Sequence, residues 1–152
     1  MSRRALVTMA AMATGATLSA LPASAAEPAP TAALAIKVSS LRSNKGQVGC
    51  TLYGSEKGFP TDPSAALQRQ WCPIAAGAAT CAFDPIPAGV YAVACFHDEN
   101  QNGKLDTGPF GIPKEGTVVS NYAKGFMGPP SFKDAKFSFA GVPSEMQLKM
   151  GY

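Results

Sequence analysis

Near the middle of the chain, an apolar run passes directly into a series of oxygen-bearing side chains. Residues 93–106 read Val93-Ala94-Cys95-Phe96-His97-Asp98-Glu99-Asn100-Gln101-Asn102-Gly103-Lys104-Leu105-Asp106. From Val90 to His97 neither set of alternate residues forms a polar face, which is typical of a strand that is covered on both sides. We therefore expect a central strand over residues 90–97, followed by a loop built from polar side chains.

Shorter strand-like segments lie on both sides of this run. Residues 34–38 and 48–52 carry apolar side chains at alternate positions, and the turn at 44–46 between them predicts a hairpin. Further short strands are expected over residues 80–83, 117–119 and 146–150. Asp62 and Pro63 are start signals for a short helix over residues 64–70. Together, about seven short strands and one helix in a loop predict an all-β protein.

The expected architecture is an antiparallel β-sandwich, Ig-like or transthyretin-like, and an open β-barrel is the alternative. The domain is expected to span residues 34–152 of the 152-residue chain. It follows a secretory signal peptide over residues 1–26, with Arg3 and Arg4 before an apolar run, and a flexible leader over residues 27–33. Without those two arginines, 11 basic residues face 10 acidic ones. This near-neutral balance argues against a nucleic-acid binder.

The loop after the central strand has the spacing of a calcium loop. Asp98, Asn100 and Asn102 occupy positions 1, 3 and 5, Gly103 occupies the turn position 6, the Lys104 carbonyl falls at 7 and Asp106 at 9. Position 12, which is a bidentate Glu in an EF-hand, is Pro109, so a true EF-hand is not expected. Glu115 is the later acid that is near enough in sequence to complete the shell. The alternative is an Asx-rich turn in which these side chains bond the backbone.

All four cysteines lie after the expected signal peptide, in a compartment that permits disulfides. Cys72 and Cys81 flank a short segment that they can close, which leaves Cys50 and Cys95 to bridge neighbouring strands. A redox pair or a soft-metal site is the alternative, but the C-x-x-C spacing is missing.

His97 is the one histidine of the chain. It is a candidate general base for an enzyme, but no nucleophile elbow, metal-protease motif or phosphate loop accompanies it. A histidine that ends a strand and bonds a loop carbonyl is the preferred interpretation, and no catalytic residue is assigned. Two Gly/Pro-rich loops carry apolar side chains that either form a ligand patch or fold back onto the core: Phe110, Tyr122, Phe126, Met127, Pro129 and Pro130.

Three islands of sequence carry a resemblance to a known family. They are Tyr91-Ala92-Val93 leading into residues 97–106, then Gly111-Ile112-Pro113-Lys114-Glu115-Gly116, then Gly128-Pro129-Pro130-Ser131-Phe132 with Asp134-Ala135 and Phe137. In combination they resemble the domain of unknown function 2141 family. The resemblance implies a small periplasmic or secreted all-β protein, and the family carries no established activity to transfer.

A second, more distant resemblance is confined to one turn and one loop. Pro87-Ala88-Gly89-Val90-Tyr91 followed by a D-x-N-x-N-G-x-x-D loop is similar to the calcium-binding B-type repeats of bacterial adhesins. Those repeats usually place another acid soon after the last Asp, whereas this chain has Thr107-Gly108-Pro109.

The sequence thus predicts an exported, non-catalytic binding or structural module of the cell envelope, stabilised by Ca²⁺ in the 98–106 loop. The alternative is a small periplasmic hydrolase or ligand carrier that uses His97 and the aromatic loops. An envelope protein, a glycan or a small apolar ligand is the expected partner, and the chain is expected to be a monomer without a transmembrane segment.

Overall fold

The protein is described by a computed structural model over residues 25–152. The predicted signal peptide therefore lies, up to residue 24, outside the described residues. In the described part eight strands and one short helix follow one another. The strands are β1 (Thr31–Ser39), β2 (Gln47–Tyr53), β3 (Gln68–Pro73), β4 (Ala79–Pro87), β5 (Gly89–Asp98), β6 (Thr117–Val119), β7 (Phe137–Phe139) and β8 (Ser144–Lys149). The helix is α1 (Phe132–Ala135), and three 3₁₀ turns span Pro63–Ala65, Pro109–Gly111 and Ser120–Tyr122.

The strands form two sheets, which confirms the predicted β-sandwich. One sheet has the order β4-β1-β8 and the other has the order β3-β2-β5-β6, with β7 also paired to β5. Pairing is antiparallel except between β1 and β8, which run parallel. The predicted antiparallel arrangement is thus correct for all pairs but this one. Strand β1 begins at Thr31, inside the segment 27–33 that the sequence assigns to a leader.

The predicted hairpin between the first two strands is wrong, because β1 and β2 belong to different sheets. Strand β1 lies between β4 and β8, with Ile36 opposite Cys81 and Met146. Strand β2 lies between β3 and β5. The turn at Gly46 reverses the chain across the sandwich rather than within one sheet. A reversal signal is local, whereas the choice of sheet is made by distant partners.

The helix predicted over residues 64–70 is also wrong beyond its first turn. Asp62 does cap a helical turn, since its carboxylate accepts a hydrogen bond from the Ser64 amide at 2.9 Å and Pro63 follows it. The turn ends at Ala65, and Gln68 already pairs with Leu52 of β2. Pairing with β2 satisfies the backbone of this segment, so tertiary contacts override the helical start signal.

Strand β5 is covered on both faces, as its sequence predicts. Tyr91, Val93 and Cys95 belong to the main core between the sheets, where Val93 is fully buried. On the opposite face Ala92 is fully buried in a second, smaller apolar cluster. That cluster includes Val119 and Ala135, with Phe59 and Phe132 packed against it.

Both predicted disulfides are present. Cys50 of β2 lies directly opposite Cys95 of β5, so this bridge joins neighbouring strands of one sheet. Cys72 of β3 and Cys81 of β4 belong to different sheets, so the shorter loop is closed across the sandwich. Loop-closure entropy assigns about 4 kcal/mol to the first bridge and about 2.7 kcal/mol to the second. No helix within residues 25–152 is long and apolar enough to cross a membrane.

Candidate functional site

The polar loop leaves the end of the central strand β5 and returns to β6. The His97 amide donates to the Gly116 carbonyl at 2.9 Å, which closes the base of the loop. Farther out, the Lys114 amide donates to the Asp106 carbonyl at 2.9 Å and the Gly108 amide to the Ile112 carbonyl at 2.7 Å. The segment between positions 106 and 114 is therefore a small hairpin of its own, and residues 98–106 form a separate turn.

Asp98 organises this turn from the inside. Its side chain is fully buried, and it ends strand β5 beside Gln47 at the start of β2. One carboxylate oxygen accepts from the Asn102 amide at 3.0 Å, and the other accepts from the Gly103 amide at 2.9 Å and from the Gln47 side-chain amide at 3.0 Å. A buried carboxylate needs such donors, so Asp98 and the turn fix each other.

The side chains of Asn100, Asn102 and Asp106 contact one another in this turn. The Asn100 amide donates to one Asp106 carboxylate oxygen at 2.7 Å, and the Asn102 amide donates to the other at 2.9 Å. At the same time Asn100 Oδ1 accepts from the Asn102 backbone at 3.1 Å, and Asn102 Oδ1 accepts from the Lys104 backbone at 2.9 Å. These are Asx turns, as the alternative interpretation of the sequence expects.

Rotating the terminal amide group of an Asn side chain by half a turn exchanges its oxygen and its nitrogen, so either atom can face the same neighbour. Asn100 and Asn102 donate to the Asp106 carboxylate here, and with the amide groups turned they would offer their oxygens to a cation beside it in exchange for their two backbone hydrogen bonds. The donor set of two carboxylates and two amides suits a hard cation with oxygen ligands. No group of three or more His, Cys, Asp or Glu side chains within residues 25–152 is arranged to hold a metal ion.

Glu115 supports the loop from the β6 side. It is buried, and its two oxygens accept from the Glu99 backbone amide at 2.9 Å and from the Asp106 backbone amide at 3.0 Å. Glu115 thereby sets the position of Asp106 through the backbone. Lys104 is held through its amide, and its side chain is exposed.

An ion pair that the sequence does not predict borders the loop. Arg42 donates to Glu99 with both Nε and Nη2, at 2.7 and 2.8 Å, and its guanidinium stacks on the Tyr152 ring at 4.5 Å. The hydrogen bonds from Arg42 lower the pKa of the Glu99 carboxyl group. These residues lie 57 positions apart in the chain, so no sequence spacing could indicate the contact.

His97 is fully buried and both of its ring nitrogens are engaged. Nε2 lies 2.7 Å from the Lys45 carbonyl, and Nδ1 lies 2.7 Å from the Tyr152 hydroxyl. A carbonyl can only accept, so Nε2 carries a proton, and in the neutral ring Nδ1 accepts from the tyrosine hydroxyl. This is the structural histidine that the sequence favours. The arrangement leaves neither nitrogen directed at a substrate, which does not favour His97 as a general base.

The two aromatic loops do not fold back onto the core. Phe110, Phe126 and Met127 are almost completely exposed, and Tyr122 is half-exposed with its hydroxyl on β8. The expectation that these side chains fold back onto the core is therefore wrong. The two loops leave opposite ends of the β5–β6 pair, since one connects Asp98 to Thr117 and the other begins beside Val93. The two loops therefore do not form one ligand patch.

Trp71 of β3 lies on the outer face of the second sheet. It packs edge-to-face on Phe96 at 5.7 Å between ring centres, and the Arg69 guanidinium stacks on it at 4.3 Å. Arg69 also donates to the Gly103 carbonyl at 2.9 Å. This cluster ties the polar loop to β3.

A family model described as an uncharacterised protein conserved in bacteria, DUF2141, matches residues 36–147. The chain belongs to this family. The matched range includes all or part of every strand and the whole 98–116 loop of this DUF2141 protein, which confirms the resemblance carried by the three islands. No curated protein and no solved structure matches the chain.

Proposed function

We propose that this DUF2141 protein is an exported, non-catalytic binding or structural module of the bacterial envelope whose 98–106 loop binds Ca²⁺. The convergence of Asn100 and Asn102 on Asp106, beside the buried Asp98, carries the proposal. The loop supplies oxygen ligands at the spacing of a calcium loop, and Asp98 and Glu115 hold its backbone in place.

Export is supported by the two disulfide bridges of the fold. All four cysteines are paired, and disulfides persist in oxidising compartments outside the cytoplasm. The basic and then apolar sequence before residue 26 agrees with a secretory signal. N-terminal sequencing of protein recovered from the envelope checks this part, and an intact Met1 would contradict it.

The expected calcium affinity is weak, because only two carboxylates contribute charge. Extracellular sites of this kind have dissociation constants of roughly 10⁻⁴ to 10⁻³ M. Mg²⁺ should compete poorly, because it demands a smaller and more regular octahedral shell. At ten times the dissociation constant, calcium should add about 1.4 kcal/mol to the free energy of unfolding. For a domain of this size that corresponds to a rise in melting temperature of roughly 4–8 °C.

The test is a calorimetric titration paired with thermal melts in calcium and in chelator. Asp106→Asn is the informative variant, because this carboxylate faces the two Asn side chains and accepts no backbone amide. Asp84→Asn is the matched control, since it removes one exposed carboxylate from β4. Wild type and the control should melt higher in millimolar calcium, and Asp106→Asn should not. If the wild-type melt is indifferent to calcium and chelator alike, the loop is an Asx turn and the calcium proposal fails.

A further inference from the structure

The loop between the 3₁₀ turn at Ser120–Tyr122 and helix α1 carries an exposed apolar tip. Phe126 and Met127 are each 94% exposed and stand between Gly125 and Gly128. A Cβ at Gly125 would overlap the Gly128 carbonyl oxygen and lie 2.5 Å from the backbone of Pro129. The loop is therefore closed on itself at its base, and its two largest apolar side chains point into solvent.

Both ends of the loop are tied to the sandwich. At one end the Ser120 hydroxyl donates to the Ala135 carbonyl at 2.6 Å, and the Asn121 amide donates to the Lys136 carbonyl at 2.7 Å. At the other end Ser131 caps α1 by accepting from the Asp134 amide at 3.2 Å, and Ala135 of this helix is fully buried. The tip is thus presented from a fixed base, and Met127 adopts a positive φ of 58° that non-glycine residues rarely take.

The surroundings of the tip are basic. Lys124, Lys133 and Lys136 are exposed, and Asp134 is the one acid in the segment 120–136. Lys149 adds a fourth exposed lysine, because its amide donates to the Tyr122 hydroxyl at 3.2 Å. The neighbouring segment 54–62, which packs on α1 through Phe59, carries two acids and one lysine and leaves the region net positive.

An apolar tip with a basic surround fits the interface of an anionic lipid bilayer. Aromatic and thioether side chains partition into the boundary of the acyl chains, and nearby lysines are attracted to anionic headgroups. Charge complementarity favours this occupant, because the lysines leave the region around the tip net positive. We propose that the 123–131 loop docks this protein on anionic phospholipid, with Phe126 and Met127 inserted and the lysines on the headgroups. This proposal concerns a different surface from the calcium loop and does not depend on it.

Sedimentation of the exported chain with sucrose-loaded vesicles tests the proposal. One set of vesicles contains phosphatidylcholine and phosphatidylglycerol in equal parts, and the other contains phosphatidylcholine alone. Wild type should bind the anionic vesicles, and the binding should fall in high salt because the headgroup attraction is screened. Phe126→Ser combined with Met127→Ser should lower the partition coefficient at least about tenfold, since two apolar side chains are lost from the interface. Lys124→Gln should lower it about fivefold.

Phe110→Ser is the matched control, because Phe110 is equally exposed on the loop that leaves the other end of the β5–β6 pair. It should leave vesicle binding unchanged. Gly125→Ala should weaken binding by opening the base of the loop, whereas a Cβ at Gly128 meets nothing within 4 Å and Gly128→Ala should be neutral. The tip variant, Lys124→Gln and Phe110→Ser are first shown to melt like wild type. The proposal is overturned if wild type does not bind the vesicles, or if Phe110→Ser and the tip variant lose equal amounts of binding. It is also overturned if the tip binds only protein.

Discussion

Replacing Asp98 by Asn should destabilise the protein whether or not calcium is present. Asn has the same shape as Asp but keeps only one acceptor oxygen. In its best orientation the oxygen of the introduced Asn side chain keeps the contacts to Gly103 and Gln47. The contact to the Asn102 backbone amide is lost, because the side-chain NH₂ group now faces that N–H. A lost hydrogen bond to a charged group costs about 1.5–3 kcal/mol, and the unpaired donors add to it, so we expect a loss of about 2–4 kcal/mol.

The comparison with Asp106→Asn makes this prediction specific. The Asp106 carboxylate accepts only from the side-chain amides of Asn100 and Asn102, and the residue is partly exposed. In chelator its change to Asn should therefore cost less than about 1 kcal/mol. Urea unfolding of the oxidised protein in chelator measures both variants. A free energy of unfolding for Asp98→Asn within about 0.5 kcal/mol of wild type would refute the view that this carboxylate holds the loop.

Two further changes test the contacts around the loop. Gly46→Ala should cost more than about 3 kcal/mol, since φ is +75° and the methyl group would overlap the backbone of β5. Gly77→Ala should cost only about 1 kcal/mol, because φ is +72° but the methyl group would make only an ordinary contact with the Leu41 carbonyl oxygen at 3.7 Å. Equal losses in urea unfolding would contradict the steric argument. Arg42 lowers the pKa of Glu99 below its ordinary value of 4.5. The stabilisation that this ion pair gives is therefore complete above pH 4.5 and is lost as the pH falls through the lower pKa of the folded state. Glu99→Gln should therefore make the melting temperature fall less steeply on acidification below pH 4.5. Glu56→Gln, at an exposed position, is the control and should not have this effect. Identical acid profiles for Glu99→Gln and wild type would disprove the contribution of the ion pair.

Much of the sandwich could be predicted because its signals are local. Strand β5 has no polar face, and the structure covers it on both sides. The even cysteine count and the short span between Cys72 and Cys81 indicate the pairing that is observed. The sheet assignment of β1 and β2 could not be predicted, because Leu34 pairs with Phe83 and Ser144, which lie far along the chain. No turn signal contains that information.

The polar loop shows the same division between local and distant determinants. The spacing of Asp98, Asn100, Asn102 and Asp106 predicts a turn in which these side chains face inward, and the structure brings the last three together. Gln47 comes from strand β2 and contacts Asp98 only because β2 pairs with β5. Its role could be found only after the sheet order was known.

The two proposed surfaces are expected to act independently, and the reason lies in the strand that separates them. The 98–106 loop begins at Asp98, and the segment that leads into the 123–131 loop begins with Ser120 beside Val93, at the other end of the β5–β6 pair. Between these points Val93 and Cys95 are buried in the core, and Cys95 is bonded covalently to β2. Close-packed cores do not deform continuously, and coupling between sites requires an element with two arrangements. Strand β5 is fixed by pairing on both sides and by a disulfide, so calcium should stabilise the fold without moving the apolar tip.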